Sequence, residues 1–311
     1  LQMPVRQLGM MVNAFARASM SGARLFEVLD REPEIADRPG AQDLVISDAL
    51  LRFENVSFTY PGTYPGASAG EGHELATLHD ISFEVRAGRT LGIVGPPGSG
   101  KSTIVHLIPR YYDVGAGRIT IDGQDVREVT LASLRRAVSL VQQDTFLFTA
   151  SLENNIAYGD PWAERDRIAQ SSEVARLHDY IAGLPGGYET LVGERGVSLS
   201  GGQRQRLSIA RSILLGPPIL VFDDSTASVD AATEQMIREA LRAQTATRAT
   251  IIIAHRLGSL MDADEIIFLE QGRIVERGSH AELLALGGRY ASLYALQSAG
   301  AEQAEPREAR P

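Results

Sequence analysis

The run Gly95-Pro96-Pro97-Gly98-Ser99-Gly100-Lys101-Ser102-Thr103 constrains this chain more than any other feature. It fits G-x-x-x-x-G-K-[ST] and stands between a short apolar stretch, Thr90–Val94, and a segment of helical spacing. A strand that turns through glycines into a helix is the context in which this pattern cradles phosphates. The glycines let successive backbone N–H groups curl around an anion, and the helix directs its N-terminus at the same point. Lys101 then reaches the β- and γ-phosphates, and the Ser102 hydroxyl is a ligand for Mg²⁺. Lys101 is also the only lysine in the chain, arginine carrying the basic charge everywhere else.

A second run agrees with the first. Ile219 to Phe222 are apolar and end in Asp223, which puts a carboxylate at the carboxyl end of a buried strand. That is where ligands bind in open α/β sheets, and Asp223 becomes a second Mg²⁺ ligand. Composition narrows the function further. The 311 residues carry a formal net charge of −9, which argues against the basic stripe of a nucleic-acid-binding surface. A nucleotide needs only local positive charge and backbone amides. There is no cysteine, which excludes disulfides and thiolate metal sites and fits a reducing cytosol. No apolar run approaches the roughly 18–20 residues of a spanning helix, so the segment itself is expected to be soluble. Leu1 in place of an initiator Met suggests a fragment.

Apolar residues fall at near-helical spacing from Leu8 to about Leu29, with arginines between them. A Pro-, Asp- and Gly-rich stretch, Glu32–Gln42, then reads as a linker. Strands are expected over Leu51–Tyr60, Ile81–Val85, Thr90–Val94, Ile219–Phe222 and Thr250–Ala254. Pro61–Glu74 reads as an exposed loop, and a mostly helical stretch is expected from about Asp160 to Leu214. After Ser298 the composition turns to Ala, Glu, Gln, Pro and Arg, as in disordered tails.

The third motif, Leu199-Ser200-Gly201-Gly202-Gln203 followed by Arg204-Gln205-Arg206, resembles the signature sequence of ABC transporter proteins. By itself it is also an ordinary helix start with Ser200 as N-cap. The resemblance runs from Leu51 to about Leu296 and implies an α/β fold, a P-loop core with an antiparallel β-subdomain and an inserted α-helical subdomain at about 145–215. It implies ATP as ligand with Mg²⁺. Tyr60 corresponds to the aromatic residue that stacks on adenine, and Gln143 to the glutamine that senses Mg²⁺ and the membrane domain. Asp230 fits the D-loop, and His255 the histidine that contacts the γ-phosphate. Ser200, Gly201, Gly202 and Gln203 would face ATP held by a second subunit.

Within the family the resemblance points to exporters. Thr190 to Gly196 resembles the exporter loop that touches the coupling helices, and residues 1–30 resemble the cytoplasmic end of the last membrane helix of a half-transporter. That implies residues 31–48 as linker, 49–298 as nucleotide-binding domain and 299–311 as a disordered tail. The implied partners are a membrane domain of the same polypeptide and a second half-transporter, at the cytoplasmic face of the cell membrane. No nucleic-acid partner is implied.

One position departs from the family pattern. The residue after Asp223 is normally Glu, taken to polarise the attacking water, and here it is Asp224. Its carboxylate falls short by about one C–C bond, ~1.5 Å, and a misplacement near 1 Å can cost about 10²-fold in rate. The D-loop reads Ala227-Ser228-Val229-Asp230 where Ser-Ala-Leu-Asp is common, whereas the signature is intact. This combination resembles one half of a heterodimeric exporter, with a degenerate site of its own and a signature that completes a Glu-bearing partner's site. Two alternatives stay open: a competent homodimeric ATPase, and a regulatory nucleotide-binding module without useful turnover.

Overall fold

Two sheets form because the strands carry two different burial patterns. A computed structural model describes residues 2–61, 77–142, 145–193, 199–223, 248–254 and 256–304. They fall into two compact units, 1–36 and 37–311. The first holds α1 (Gln2–Leu29), whose apolar side chains, Phe15 and Phe26 among them, are exposed.

In the second unit, β1 (Leu51–Phe58) alternates between buried and accessible positions, as does β2 (Leu78–Val85). With β4 (Ala116–Ile121) and β5 (Gln124–Asp125) they make an antiparallel sheet in the order β2-β1-β4-β5. β3 (Thr90–Val94) and β7 (Ile219–Asp223) are instead buried on both faces along most of their length. Continuous apolar runs of this kind belong in parallel sheets. They join β6 (Val138–Val141), β8 (Ala249–Ile253), β9 (Glu265–Glu270) and β10 (Arg273–Gly278) in the order β10-β9-β3-β8-β7-β6, parallel except for β10. Thr90–Val94 and Ile219–Phe222 therefore lie in one sheet, separated only by β8.

One core fills the space between the two sheets and α2 (Lys101–Leu107). A second core gathers α4 (Leu152–Ile156), α5 (Arg165–Val174), α6 (His178–Ala182) and α7 (Gly201–Leu214) around Leu152, Ile168, Ile181 and Leu207. This is the helical insertion expected at 145–215. A third core packs α8 (His280–Leu286) and α9 (Arg289–Ala304) beside β3 and β9 through Phe268, Leu283 and Tyr290.

Two boundaries differ from the sequence reading. The stretch read as a linker is fastened to the domain from Asp37 onward. The Asp37 carboxylate accepts from Leu131 N (2.7 Å) at the start of α3 (Leu131–Ala137). The Thr130 hydroxyl donates to Asp43 (2.6 Å), and Val45 exchanges two hydrogen bonds with the Gln124 side chain. The Asp122 carboxylate accepts from Ser47 N, Asp48 N and Leu50 N. Pro, Asp and Gly spell irregular backbone, but these Asp side chains and amides satisfy one another across the subdomain edge. At the other end, α9 continues to Ala304, so residues 299–304 are helical where composition suggested disorder. Ala, Gln and Glu are good helix formers, and a helix already anchored by Tyr290 extends through them cheaply.

Candidate functional site

The phosphate-loop residues Gly95 to Thr103 are all described. β3 delivers Gly95 from the middle of the parallel sheet, and α2 begins at Lys101. Space at Gly95 is closed to any side chain, since a Cβ there would lie 2.0 Å from the carbonyl oxygen of Leu269. At Gly100, φ is 103° and a Cβ would come within 2.6 Å of Leu78 Cδ2. These two glycines are required by close approach of the neighbouring β9 and β2 residues, a packing reason that the motif does not spell out. Pro96, Pro97 and Gly98 form the exposed crest, and the Ser102 side chain is exposed at the first turn of α2.

Lys101 is 6 % exposed. Its Nζ donates to the carbonyls of Gly95 (2.8 Å) and Pro96 (3.0 Å), so the ammonium is drawn back across the loop. A buried ammonium held by carbonyl dipoles keeps its charge close to where an anion would meet the loop amides. Asp223 ends β7 in register with Ile253 of β8 and is half-buried. Ser102 and Asp223 both offer hard oxygen donors, the ligand chemistry that suits Mg²⁺.

Tyr60, two residues beyond β1, is half-buried, and its hydroxyl donates to Thr103 Oγ1 (3.2 Å) on α2. The first strand of the antiparallel sheet thereby delivers an aromatic ring to the phosphate-loop helix. Ser200 N-caps α7 in a capping box: its Oγ accepts from Gln203 N (3.3 Å), and Gln203 Oε1 accepts from Ser200 N (2.8 Å). Gly201 and Gly202 are half-buried at this first turn, so the helix N-terminus stays accessible to an anion. Gln143, Asp224, Asp230 and His255 lie outside the described residues.

Two supports were not visible in the motifs. The β9–β10 hairpin turns through Gln271 (φ 48°) and Gly272 (φ 71°), and Gly272 N donates to Ser99 O (3.1 Å). With Leu269 against Gly95, this hairpin braces the loop from behind. Consecutive residues with positive φ between two strands are a hairpin signal that Gln-Gly carries weakly. The other support is Arg211, whose guanidinium bonds Asn155 O (2.8 Å) and Phe146 O (3.2 Å) and lies over the Tyr158 ring. It ties the segment after Gln143 to the helix that Ser200 caps. An arginine inside a helix reads as surface, so no local signal marks it.

Comparison with known proteins adds relatives to this geometry. The sequence model of the ABC transporter family matches residues 78–227. The ATM1-type heavy metal exporter of Novosphingobium aromaticivorans is 44 % identical over 306 residues, 98 % of this chain and 48 % of that protein. The human ATP-binding cassette sub-family B member 6 is 42 % identical over 305 residues, 98 % of this chain and 35 % of that protein. The ATP-dependent lipid A-core flippase of Syntrophus aciditrophicus is 42 % identical over 294 residues, 94 % of this chain and 47 % of that protein. A solved structure of a bacterial Atm1-family ABC exporter with ATP bound superposes with a TM-score of 0.84 at 44 % identity, covering 94 % of this chain and 49 % of that one. The chain spans half or less of the length of these relatives.

Proposed function

The chain belongs to the ABC transporter family, whose ATP-binding domain it carries, and on that premise we propose that it is the ATP-hydrolysing motor of an exporter. The observation that carries this reading is the loop in which Lys101 is buried between Gly95 and Pro96 carbonyls while Ser102 stays exposed beside it. ATP would lie with adenine on Tyr60 and its phosphates on the loop amides and Lys101. Mg²⁺, held by Ser102, Asp223 and Gln143, would supply charge compensation for the β- and γ-oxygens. His255 would contact the γ-phosphate. A second subunit would be met by the capped start of α7: the Ser200 oxygen accepts internally, which leaves its hydrogen to donate outward.

The relatives support an exporter rather than a particular cargo. One is named for heavy metals and another for lipid A, while each shares with this chain about half its length or less. The remainder would be a membrane domain of the same polypeptide. No helix among the described residues is long and apolar enough to cross a membrane. The amphipathic α1 is read as the cytoplasmic end of the last membrane helix, its apolar side chains covered there by membrane-domain helices.

Asp224 makes this site the weaker of two. The partner proposed is a different half-transporter with Glu after its own metal-binding Asp, completed by Ser200 and Gly201 of this chain. Turnover by the chain alone, by Asp224→Glu, and by each mixed with such a partner tests the pairing. Slow wild-type turnover is expected, with a gain in the Glu variant of at most about 10²–10⁴-fold, the range of a general base. Brisk turnover by the wild type as a homodimer would refute the degenerate site. Absence of turnover in every mixture would favour a regulatory module.

A further inference from the structure

We infer that Tyr112 is a positioning residue for the nucleotide base, acting through the ring of Tyr60; this rests on the reading that Tyr60 stacks on adenine. Three aromatic rings meet beside the phosphate-loop helix. Tyr60 stands nearly perpendicular to Phe58, with centroids 4.9 Å apart at 82°, and to Tyr112, with centroids 5.0 Å apart at 88°. Phe58 and Tyr112 touch each other as well, at 5.6 Å. Perpendicular pairs at 4.5–7 Å match the ring quadrupoles, positive edge to negative face, and resist rotation of either ring. The Tyr60 hydroxyl is fixed in turn by Thr103 Oγ1 at 3.2 Å.

The support behind Tyr112 is rigid. It leaves α2 through a tight turn in which Arg110 has φ 53° and Tyr111 N bonds His106 O (3.0 Å). The Arg110 side chain is 3 % exposed and grips Asp113 with two hydrogen bonds, of 2.6 and 3.1 Å, which clamps the turn on both sides of Tyr112. Arg135 braces the same turn by donating to the carbonyls of Pro109 and Arg110. Phe58 is buried in the core. Tyr60 is therefore held at two ring contacts and one hydroxyl, and the plane it offers to a base is set before the nucleotide arrives. A stacking partner already in place spares the cost of ordering it on binding. Tyr111, the neighbouring aromatic, faces away, 42 % exposed with Arg135 over its ring, and has no part in this.

The test compares ATP with tripolyphosphate, which carries the phosphates but no base, by calorimetric titration of the 311-residue chain. An aromatic pair of this kind contributes about 2- to 10-fold in an equilibrium constant. Tyr112→Leu is expected to weaken ATP by that factor and to leave tripolyphosphate unchanged. Tyr112→Phe is expected to restore wild-type affinity, and Tyr112→Leu should add nothing in a Tyr60→Ala background. If the Leu variant unfolds, Tyr112→Met, which fills similar space without a ring, should show the same selective loss. Equal losses for both ligands, an unchanged ATP affinity, or a full loss persisting without Tyr60 would each overturn the inference. Should Tyr60→Ala itself leave ATP affinity intact, the adenine reading falls first and the role of Tyr112 with it.

Discussion

Replacing Lys101 by Ala tests the phosphate loop at its most informative atom. In the free protein the ammonium is already buried and bonded to Gly95 O at 2.8 Å and Pro96 O at 3.0 Å. Its desolvation is thus largely met on folding, and ATP binding exchanges carbonyl partners for phosphate oxygens. What the variant loses is a charge-assisted contact to phosphate, about 1.5–3 kcal/mol. At 1.36 kcal/mol per decade that is an affinity about 10- to 150-fold weaker. Pro96 O keeps Ser99 N at 3.2 Å, so the loop retains an internal bond and need not collapse. Titrations with ATP and with AMP separate the effects, because AMP lacks the β- and γ-phosphates that Lys101 would reach. ATP affinity should fall by the stated factor while AMP affinity stays the same. Lys101→Arg should not rescue, since a planar fork does not replace a compact ammonium between two carbonyls. Unchanged ATP affinity in Lys101→Ala, or an equal loss for AMP, would refute the assignment.

Two further outcomes are expected. Shortening Pro61–Glu74, whose residues 62–74 lie outside those described, should leave ATP affinity unchanged, and a loss in the same titration would mean that this loop closes over the adenine site. For Asp122, burial opposes the charge but the backbone donors at Leu50, Ser47 and Asp48 outweigh it, holding the carboxyl below its usual range. A folded-state pKa below the unfolded value means stability that is present above about pH 4 and is lost as pH falls through the folded value. Asp122→Asn should therefore lower the thermal midpoint at pH 7, with the gap to wild type narrowing toward pH 2.5. A gap independent of pH would show that the carboxylate charge is not what holds residues 47–50.

The sequence alone determined whatever depends on neighbours in the chain. Gly95 to Ser102 specify a strand–turn–helix junction because glycine spacing and the Lys-Ser pair act over eight residues. The continuous apolar runs of β3 and β7 mark strands buried on both faces. Ser200 and Gln203 spell their own capping box. The same local rules do not show that the stretch from Asp37 is tied to the domain or that Ala299–Ala304 is helical, since irregular or polar composition does not say what lies across from it. Tertiary structure decided the rest. That β9 lies beside β3, so that Leu269 crowds Gly95 and Gly272 grips Ser99, follows from pairing between residues some 170 positions apart. No local pattern encodes such pairing; it is settled by which faces must be buried together. The meeting of Tyr60, Thr103 and Tyr112 has the same origin, for the antiparallel sheet and the phosphate-loop helix share one core, and packing rather than sequence proximity brings the two tyrosine ring centroids to 5.0 Å and the Tyr60 hydroxyl to Thr103.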